Sequence, residues 1–407
     1  MAKRTPQSIT APKGFAASAG AFGIKASGNP DLTLIVADHQ AAAAGVFTRN
    51  KVVGAPVTVS KRHLRGGRAR AIVVNAGNSN VATGQQGIAD AEAMCAEVAR
   101  LLPDCKPADV LVCSTGVIGH PLPIDKITRG IATLGSRLAK GTAADDAAAT
   151  AILTTDLTQK TSLRRFMIAG KRVTLGGIAK GSGMIQPNMA TMLAFLTTDL
   201  SISPKALQQA LKVATSRTFN RISVDHDTST SDSVMILASG DADNAIIDKP
   251  AGDDYDRFLQ ALTDVCGELA YAIIKDGEGA TRVFRVCVRG AKSEKQADLI
   301  GYAVVGSPLV KSAVHGGDPN WGRLLMAVGR SGADVKAETL QLHIGGIHVY
   351  DGRPLELTPA AIKKLVKAMT RDEVVFELDL RLGQGEAQWL GCDLSRQYVT
   401  INADYTT

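Results

Sequence analysis

The stretch Lys180-Gly181-Ser182-Gly183-Met184-Ile185-Gln186-Pro187-Asn188-Met189-Ala190-Thr191-Met192-Leu193-Ala194-Phe195 sets a glycine-rich segment and a proline turn against a small residue, a threonine and an apolar run of strand character. In that setting the Thr191 hydroxyl can add to the Ala190 carbonyl. The resulting ester hydrolyses, and the chain becomes two pieces with Thr191 at a new amino terminus. A hydroxyl is a poor nucleophile until a base takes its proton, and a free α-amine of pKa about 7.7–8.0 is a base built into the same residue. The β-branch of threonine restricts χ1, so fewer rotamers need freezing to aim the oxygen. Two blander readings stand beside this one. An ordinary loop followed by a core strand fits the residue types, whereas a phosphate cradle fails because the spacing matches neither GxxxxGK[ST] nor GxGxxG.

Three further places carry residue types suited to acyl chemistry. Val110-Leu111-Val112-Cys113 reads as a strand ending in a Ser114-Thr115-Gly116-Val117-Ile118-Gly119 loop. Thr115 and Gly116 there can supply a hydroxyl and an unhindered backbone N–H, the donors from which an oxyanion hole is built; a plain strand-to-helix turn is the competing reading. Thr154 opens Thr154-Thr155-Asp156 and alone reads as a cap or turn residue. Glu278 stands between Gly277 and Gly279, where a side chain can reach a cleft, although the commoner fate of a glutamate is solvent.

The elements that must position these residues alternate between strand and helix. Residues 31–37 and 70–74 are short apolar strand candidates, with a turn-rich loop expected over 75–80. Helical faces are formed by Met94, Val98, Leu101 and Leu102, by Ile127, Ile131, Leu134 and Leu138, and by Leu259, Leu262, Cys266, Leu269 and Ile273. Ser203-Pro204 and Thr358-Pro359 open helices, the latter with Ile362, Leu365, Val366 and Met369 inward. Val374, Phe376, Leu378 and Leu380 alternate with charged residues, the pattern of a strand with one wet face. The alternation, without a dinucleotide fingerprint, is that of an α/β protein.

At 407 residues, 45% apolar and 21% charged, the chain has enough material for a sizeable core and is not a disordered one. The net charge of +7 is scattered, apart from the run Lys61 to Arg70, which reads as a solvated loop. Aromatics at 4% leave no stacking platform for single-stranded nucleic acid, so no nucleic-acid partner is expected. The six cysteines lack CxxC or zinc spacing and read as reduced core residues; no metal site is expected. Without a signal-like or membrane-spanning run, a cytoplasmic protein with no membrane association is expected.

The string KGSGMIQPNMATMLAF resembles the self-cleavage signature of the ArgJ family, the ornithine acetyltransferases of arginine biosynthesis. STGVIG, TTD, DGEGATR, DPNWGR and the last ten residues resemble the same family, so the likeness runs from about residue 10 to the end. Departures are His226, where the family usually has glycine, and Ser231, where it usually has asparagine. The resemblance implies a layered α/β/β/α sandwich of the ArgJ/DmpA-like class and the self-processing N-terminal-nucleophile type. It implies an α chain of residues 1–190 and a β chain of residues 191–407, cut between Ala190 and Thr191 and assembled two of each. By the same resemblance Thr191 is the nucleophile, Thr115 and Gly116 form the oxyanion hole, and Thr154, Lys180, Thr191, Glu278, Asn402 and Thr407 meet substrate. The implied reaction moves acetyl from N-acetylornithine to glutamate without a cofactor; acetyl-CoA serves some members as a donor substrate, a use this sequence leaves open. An N-terminal-nucleophile aminopeptidase or amidohydrolase would use the same threonine with water as acceptor, and a basic binding module would need none of these sites.

Overall fold

A computed structural model describes residues 7–186 and 192–404. Ala190, Thr191 and Thr407 lie outside the described residues. In chain order the first part comprises β1 (Phe15–Gly20), β2 (Leu32–Phe47), α1 (Ala55–His63), β3 (Arg68–Asn78), α2 (Gly84–Leu101), β4 (Val110–Val117), α3 (Ile124–Gly135), α4 (Thr142–Ala151), β5 (Lys160–Ile168) and β6 (Lys171–Lys180). It continues with β7 (Leu193–Thr198), α5 (Pro204–Arg217), β8 (Ile222–Ser223), β9 (Ser233–Ala238) and α6 (Asp253–Lys275). The rest is β10 (Val283–Ala291), α7 (Glu294–Val305), α8 (Pro308–Gly316), α9 (Trp321–Gly329), β11 (Gln341–Ile344), β12 (Ile347–Asp351), α10 (Pro359–Met369), β13 (Glu373–Asp379), β14 (Gly385–Cys392) and α11 (Arg396–Asp404).

One sheet has the order β4-β3-β2-β9-β7-β6-β5, with β1 also on β2. The 16-residue β2 gives it two layers. Its first half pairs with β1 and β3 and its second with β9, and its register against β3 shifts between Val36 and Ala41, around the exposed Asp38, His39 and Gln40. Cys113 Sγ on β4 lies 4.0 Å from Met235 Sδ on β9, three strands away in the order. In a flat sheet with neighbours about 4.8 Å apart that distance would be roughly 14 Å. The sheet therefore folds over, and Ile35, Ile72, Leu111, Phe195 and Leu237 fill the space between its halves. On the outer faces α2 and α3 pack over one half, through Met94, Val98, Ile127 and Ile131, and α5 and α6 over the other, through Leu207, Leu211, Leu262 and Leu269. The result is the α/β/β/α layering.

Residues after 191 do not form a separate half of this sheet. β9 and β7 lie between β2 and β6, with Leu193–Thr198 parallel to Ser233–Ala238 and both outer neighbours drawn from residues before 191. A second sheet, β12-β11-β13-β10-β14-β8, buries Val286, Leu342, Phe376 and Trp389 beneath helices that include α7 and α9. Its β13 alternates as the sequence predicts, with Val374, Phe376 and Leu378 buried.

Four expectations change. On α10, Leu365 and Met369 are buried, but Ile362 is 48% exposed and Val366 46%. The helix presses Ala368 toward Gly345, where an added Cβ would lie 2.4 Å from the Ala368 Cβ, and this contact turns Ile362 and Val366 outward. Lys61 to Arg70 is no loop: it spans the end of α1, a short 3-10 turn and the start of β3. β3 runs on through Asn75 to Asn78 because it stays paired with Ser114 to Val117 of β4, and within it the Asn75 side chain receives the Ser114 hydroxyl at 2.6 Å and donates to the Asn78 carbonyl at 2.8 Å. Cys95, Cys113, Cys266 and Cys392 are buried free thiols, whereas Cys105 and Cys287 are half-buried. Among the described residues no single helix is long and apolar enough to cross a membrane.

Candidate active site

The fold-over brings the ends of β4 and β6 together. Thr115 and Gly116 are the sixth and seventh residues of β4, part of the strand rather than of a loop after it. Gly116 has φ +128°, and an added Cβ would meet the Gly77 carbonyl carbon at 2.3 Å, so only glycine fits beside β3 here. Lys180 ends β6, and its Nζ donates to Thr115 Oγ1 at 3.5 Å. Both line a cavity of about 330 Å³ that also receives Thr154, Thr155, Met192, Glu278 and Asn402.

Four buried charges stand in alternation behind this wall. Lys180 Nζ lies 3.9 Å from Asp156 Oδ2; Lys160 Nζ lies 2.7 Å from Asp156 Oδ1 and 2.6 Å from Asp276 Oδ2. Asp156 also accepts the N–H groups of Thr154 at 3.0 Å and Gly181 at 2.6 Å, while Asp276 accepts those of Leu157 and Thr158 at 3.0 and 3.1 Å. Burial would raise the Asp156 pKa, but the Lys180 and Lys160 ammoniums hold it well below the ordinary carboxylate range. For Lys180 burial dominates and pushes its pKa below that of an ordinary lysine, with Asp156 pulling the other way. Isolated charges at this depth would be very costly; paired and hydrogen-bonded, they are held.

Glu278 is not the solvated loop carboxylate that its composition suggests. It is buried, with 8% of its surface exposed, and each oxygen has its own donor: Thr155 Oγ1 at 2.7 Å from Oε1 and Asn402 Nδ2 at 2.8 Å from Oε2. Asn402 arrives on α11, a helix where the β-branched composition could equally read as a strand. Its amide also donates to the Tyr398 carbonyl one turn earlier, so Tyr398 and Asn402 present one helical face to the cavity. The sequence-predicted residues Thr115, Gly116, Thr154, Lys180, Glu278 and Asn402 thus share one cavity.

Several residues of the site carried no role in the sequence. Thr155, rather than its neighbour, grips Glu278; the Thr154 hydroxyl lies 3.5 Å from Asp156 Oδ2. Asp225 fastens the segment before residue 187 by accepting from the backbone N–H groups of Met184 and Ile185, and burial raises its pKa. Asp232 sits beside the start of β7, since the parallel register sets Ser233 opposite Leu193; burial pushes its pKa well above the carboxylate range, and its Oδ2 has no hydrogen-bond partner among the described residues. The available signal was Asp232 directly after Thr228-Ser229-Thr230-Ser231 and Asp156 directly after Thr154-Thr155, whereas Asp225, between Val224 and His226, carried none.

The sequence profile of the ArgJ family matches residues 16–407. The chain belongs to the ArgJ family. It is 47% identical over 408 residues to the "Arginine biosynthesis bifunctional protein ArgJ" of Dehalococcoides mccartyi, covering 98% of this chain and 97% of that one. It is 45% identical over 410 residues to the Synechocystis protein of the same name, covering 98% of each. Among solved structures it is similar to a Bacillus halodurans arginine biosynthesis bifunctional protein ArgJ, 40% identical, covering 51% of this chain and 97% of that one with a TM-score of 0.49. It is also similar to an ornithine acetyltransferase of Mycobacterium tuberculosis solved with ornithine, 42% identical, covering 45% and 95% with a TM-score of 0.41. The chain is accordingly an ArgJ-family enzyme of arginine biosynthesis.

Proposed function

We propose that this enzyme cuts itself between Ala190 and Thr191 and then transfers acetyl from N-acetylornithine to glutamate through an acetyl ester on Thr191. The observation that carries the reading is the convergence on one cavity of Thr115, Gly116, Lys180, Glu278 and Asn402, with Met192, the residue after the nucleophile, in the same wall. Thr191 Oγ adds to the acetyl carbonyl while its α-amine takes the hydroxyl proton. Thr115 and Gly116 receive the oxyanion, and ornithine leaves with that proton as the C–N bond breaks. The amine of glutamate then attacks the ester, yields N-acetylglutamate and returns the hydroxyl. Glu278 suits a substrate ammonium and Lys180 a substrate carboxylate, each being the opposite charge. Acetyl-CoA would enter as an alternative donor to the same ester, and no bound cofactor is part of the cycle.

The interleaved sheet supports one catalytic unit after the cut, because β7 and β9 keep hydrogen-bonded neighbours from the other piece on both sides. Two such units per assembly complete the proposal. Intact mass should show pieces of residues 1–190 and 191–407, with acetyl on the second after brief exposure to N-acetylornithine, and double-reciprocal plots should be parallel. Thr191→Ala should stay whole and inactive; an alanine variant cut at this bond without added protease would sink the reading.

A further inference from the structure

An oxyanion donor must point its proton at the substrate, yet a threonine hydroxyl rotates freely about its C–O bond and can turn that proton to any nearby acceptor. At Thr115 the surroundings decide. Lys180 carries three N–H donors and no acceptor, and one of them faces Thr115 Oγ1 at 3.5 Å. The same ammonium faces Asp156 at 3.9 Å, and Asp156 is fixed by Lys160 and by the backbone N–H groups of Thr154 and Gly181. Lys180 is therefore not a loose surface charge reaching into a cleft; it ends a strand, is buried, and is braced from behind.

We infer that Lys180, braced by Asp156, is a positioning residue for the oxyanion hole: it occupies a lone pair of Thr115 Oγ1, so that the Thr115 proton turns to the cavity as the donor. At 3.5 Å the contact is long for a hydrogen bond, but an ammonium paired with Asp156 in a buried setting still acts on a neighbouring hydroxyl at that range. As charge builds on the substrate oxygen, the hydroxyl between it and the ammonium is polarised, and the two donors strengthen each other. No bond is made or broken by Lys180, and no proton leaves it. One further N–H remains for a substrate carboxylate, so this role is additional to substrate binding. The inference rests on the acyl-transfer reading given above, in which Thr115 is the donor.

A double-variant cycle on the mature enzyme tests it, with rates normalised to the cut fraction read by intact mass. Thr115→Ala should lower kcat roughly 10²-fold. Lys180→Met should lower kcat comparably, beyond any rise in KM, and the double variant should be little worse than Thr115→Ala alone, because the ammonium acts through that hydroxyl. Asp156→Asn should lower kcat in the wild-type background and have little further effect beside Lys180→Met. If Lys180→Met accumulates uncut, Lys180→Arg and Thr115→Ser enter the same cycle with smaller expected losses and the same non-additivity. Multiplicative losses, or a Lys180→Met effect confined to KM, would overturn the inference. Failure of the acyl-transfer reading would look different: the wild-type enzyme itself would form no acetyl ester and show no parallel lines.

Discussion

Gly183→Ala offers a direct reading of what Glu278 does. An alanine Cβ at position 183 would stand 2.3 to 2.5 Å from the three carboxylate atoms of Glu278, a separation at which something must move. The backbone does not forbid the change, since Gly183 is absent from the positive-φ glycines. What moves is the end of a side chain rather than backbone, so the fold should persist, with the unfolding free energy lowered by about 1–3 kcal/mol as a buried carboxylate is displaced from its donors. The carboxylate, however, must leave the Thr155 hydroxyl and the Asn402 amide that hold it at 2.7 and 2.8 Å. If Glu278 meets a substrate ammonium, misplacing it forfeits one charge-assisted contact of about 1.5–3 kcal/mol. At 1.4 kcal/mol per factor of ten this is a fall in kcat/KM of roughly 10- to 100-fold, measured by coupled detection of ornithine release. The same substitution in a Glu278→Ala background should cost almost nothing further, because the obstructed group is gone. A Gly183→Ala enzyme with wild-type kcat/KM, or an equal loss in both backgrounds, would refute the steric reasoning.

Two other outcomes follow from buried contacts. Gly116→Ala combines a φ of +128° with a 2.3 Å approach to the Gly77 backbone, and backbone cannot swing aside; a loss of about 3 kcal/mol or more is expected in urea unfolding, with reduced soluble yield. Asp393 is buried; burial raises its pKa, but hydrogen bonds from Thr281, Arg282 and His315 lower it more, leaving it below the ordinary range. Its stabilisation is therefore complete above the unfolded-state value of about 3.9 and is lost as pH falls through the folded-state value. Urea midpoints between pH 5 and 3 should fall more steeply for wild type than for Asp393→Asn, which begins about 2 kcal/mol less stable at neutral pH; parallel slopes would show that the carboxylate is not the acid-sensitive group.

Local signals in the sequence carried a good part of the fold. Ser203-Pro204 marked the start of α5, where the Ser203 side chain accepts from Ala206 N, and the apolar stripe of α6 was readable from Leu262 to Ile273 because that helix lies across a broad core. On α10 the same periodicity misled. Its contact is narrow and centred on Ala368, a residue too small to register as a strong apolar position, so larger neighbours seemed to define the face. The folding-over of the sheet was not legible from periodicity either, since a strand that bends midway alternates like one that does not. In the site, strings of unusual residues pointed to Thr115, Lys180 and Glu278. The charges behind them stayed hidden, because Lys160 and Asp276 are 116 positions apart and nothing local to either says that they touch.

If the chain is cut as proposed between Ala190 and Thr191, the placing of β7 and β9 between β2 and β6 has a consequence for the lifetime of the enzyme. A precursor folds as one molecule, at a rate independent of concentration. Once cut, the same sheet could be rebuilt only by a collision of two incomplete halves, each with open strand edges available to any other strand. Heat or denaturant would then take the enzyme through a step that cooling does not retrace, and its durability would be set by the unfolding rate rather than by an equilibrium. The hydrolysed peptide bond would act as a record that folding took place once, in the right order, and the interleaved strands would be what keeps that record useful.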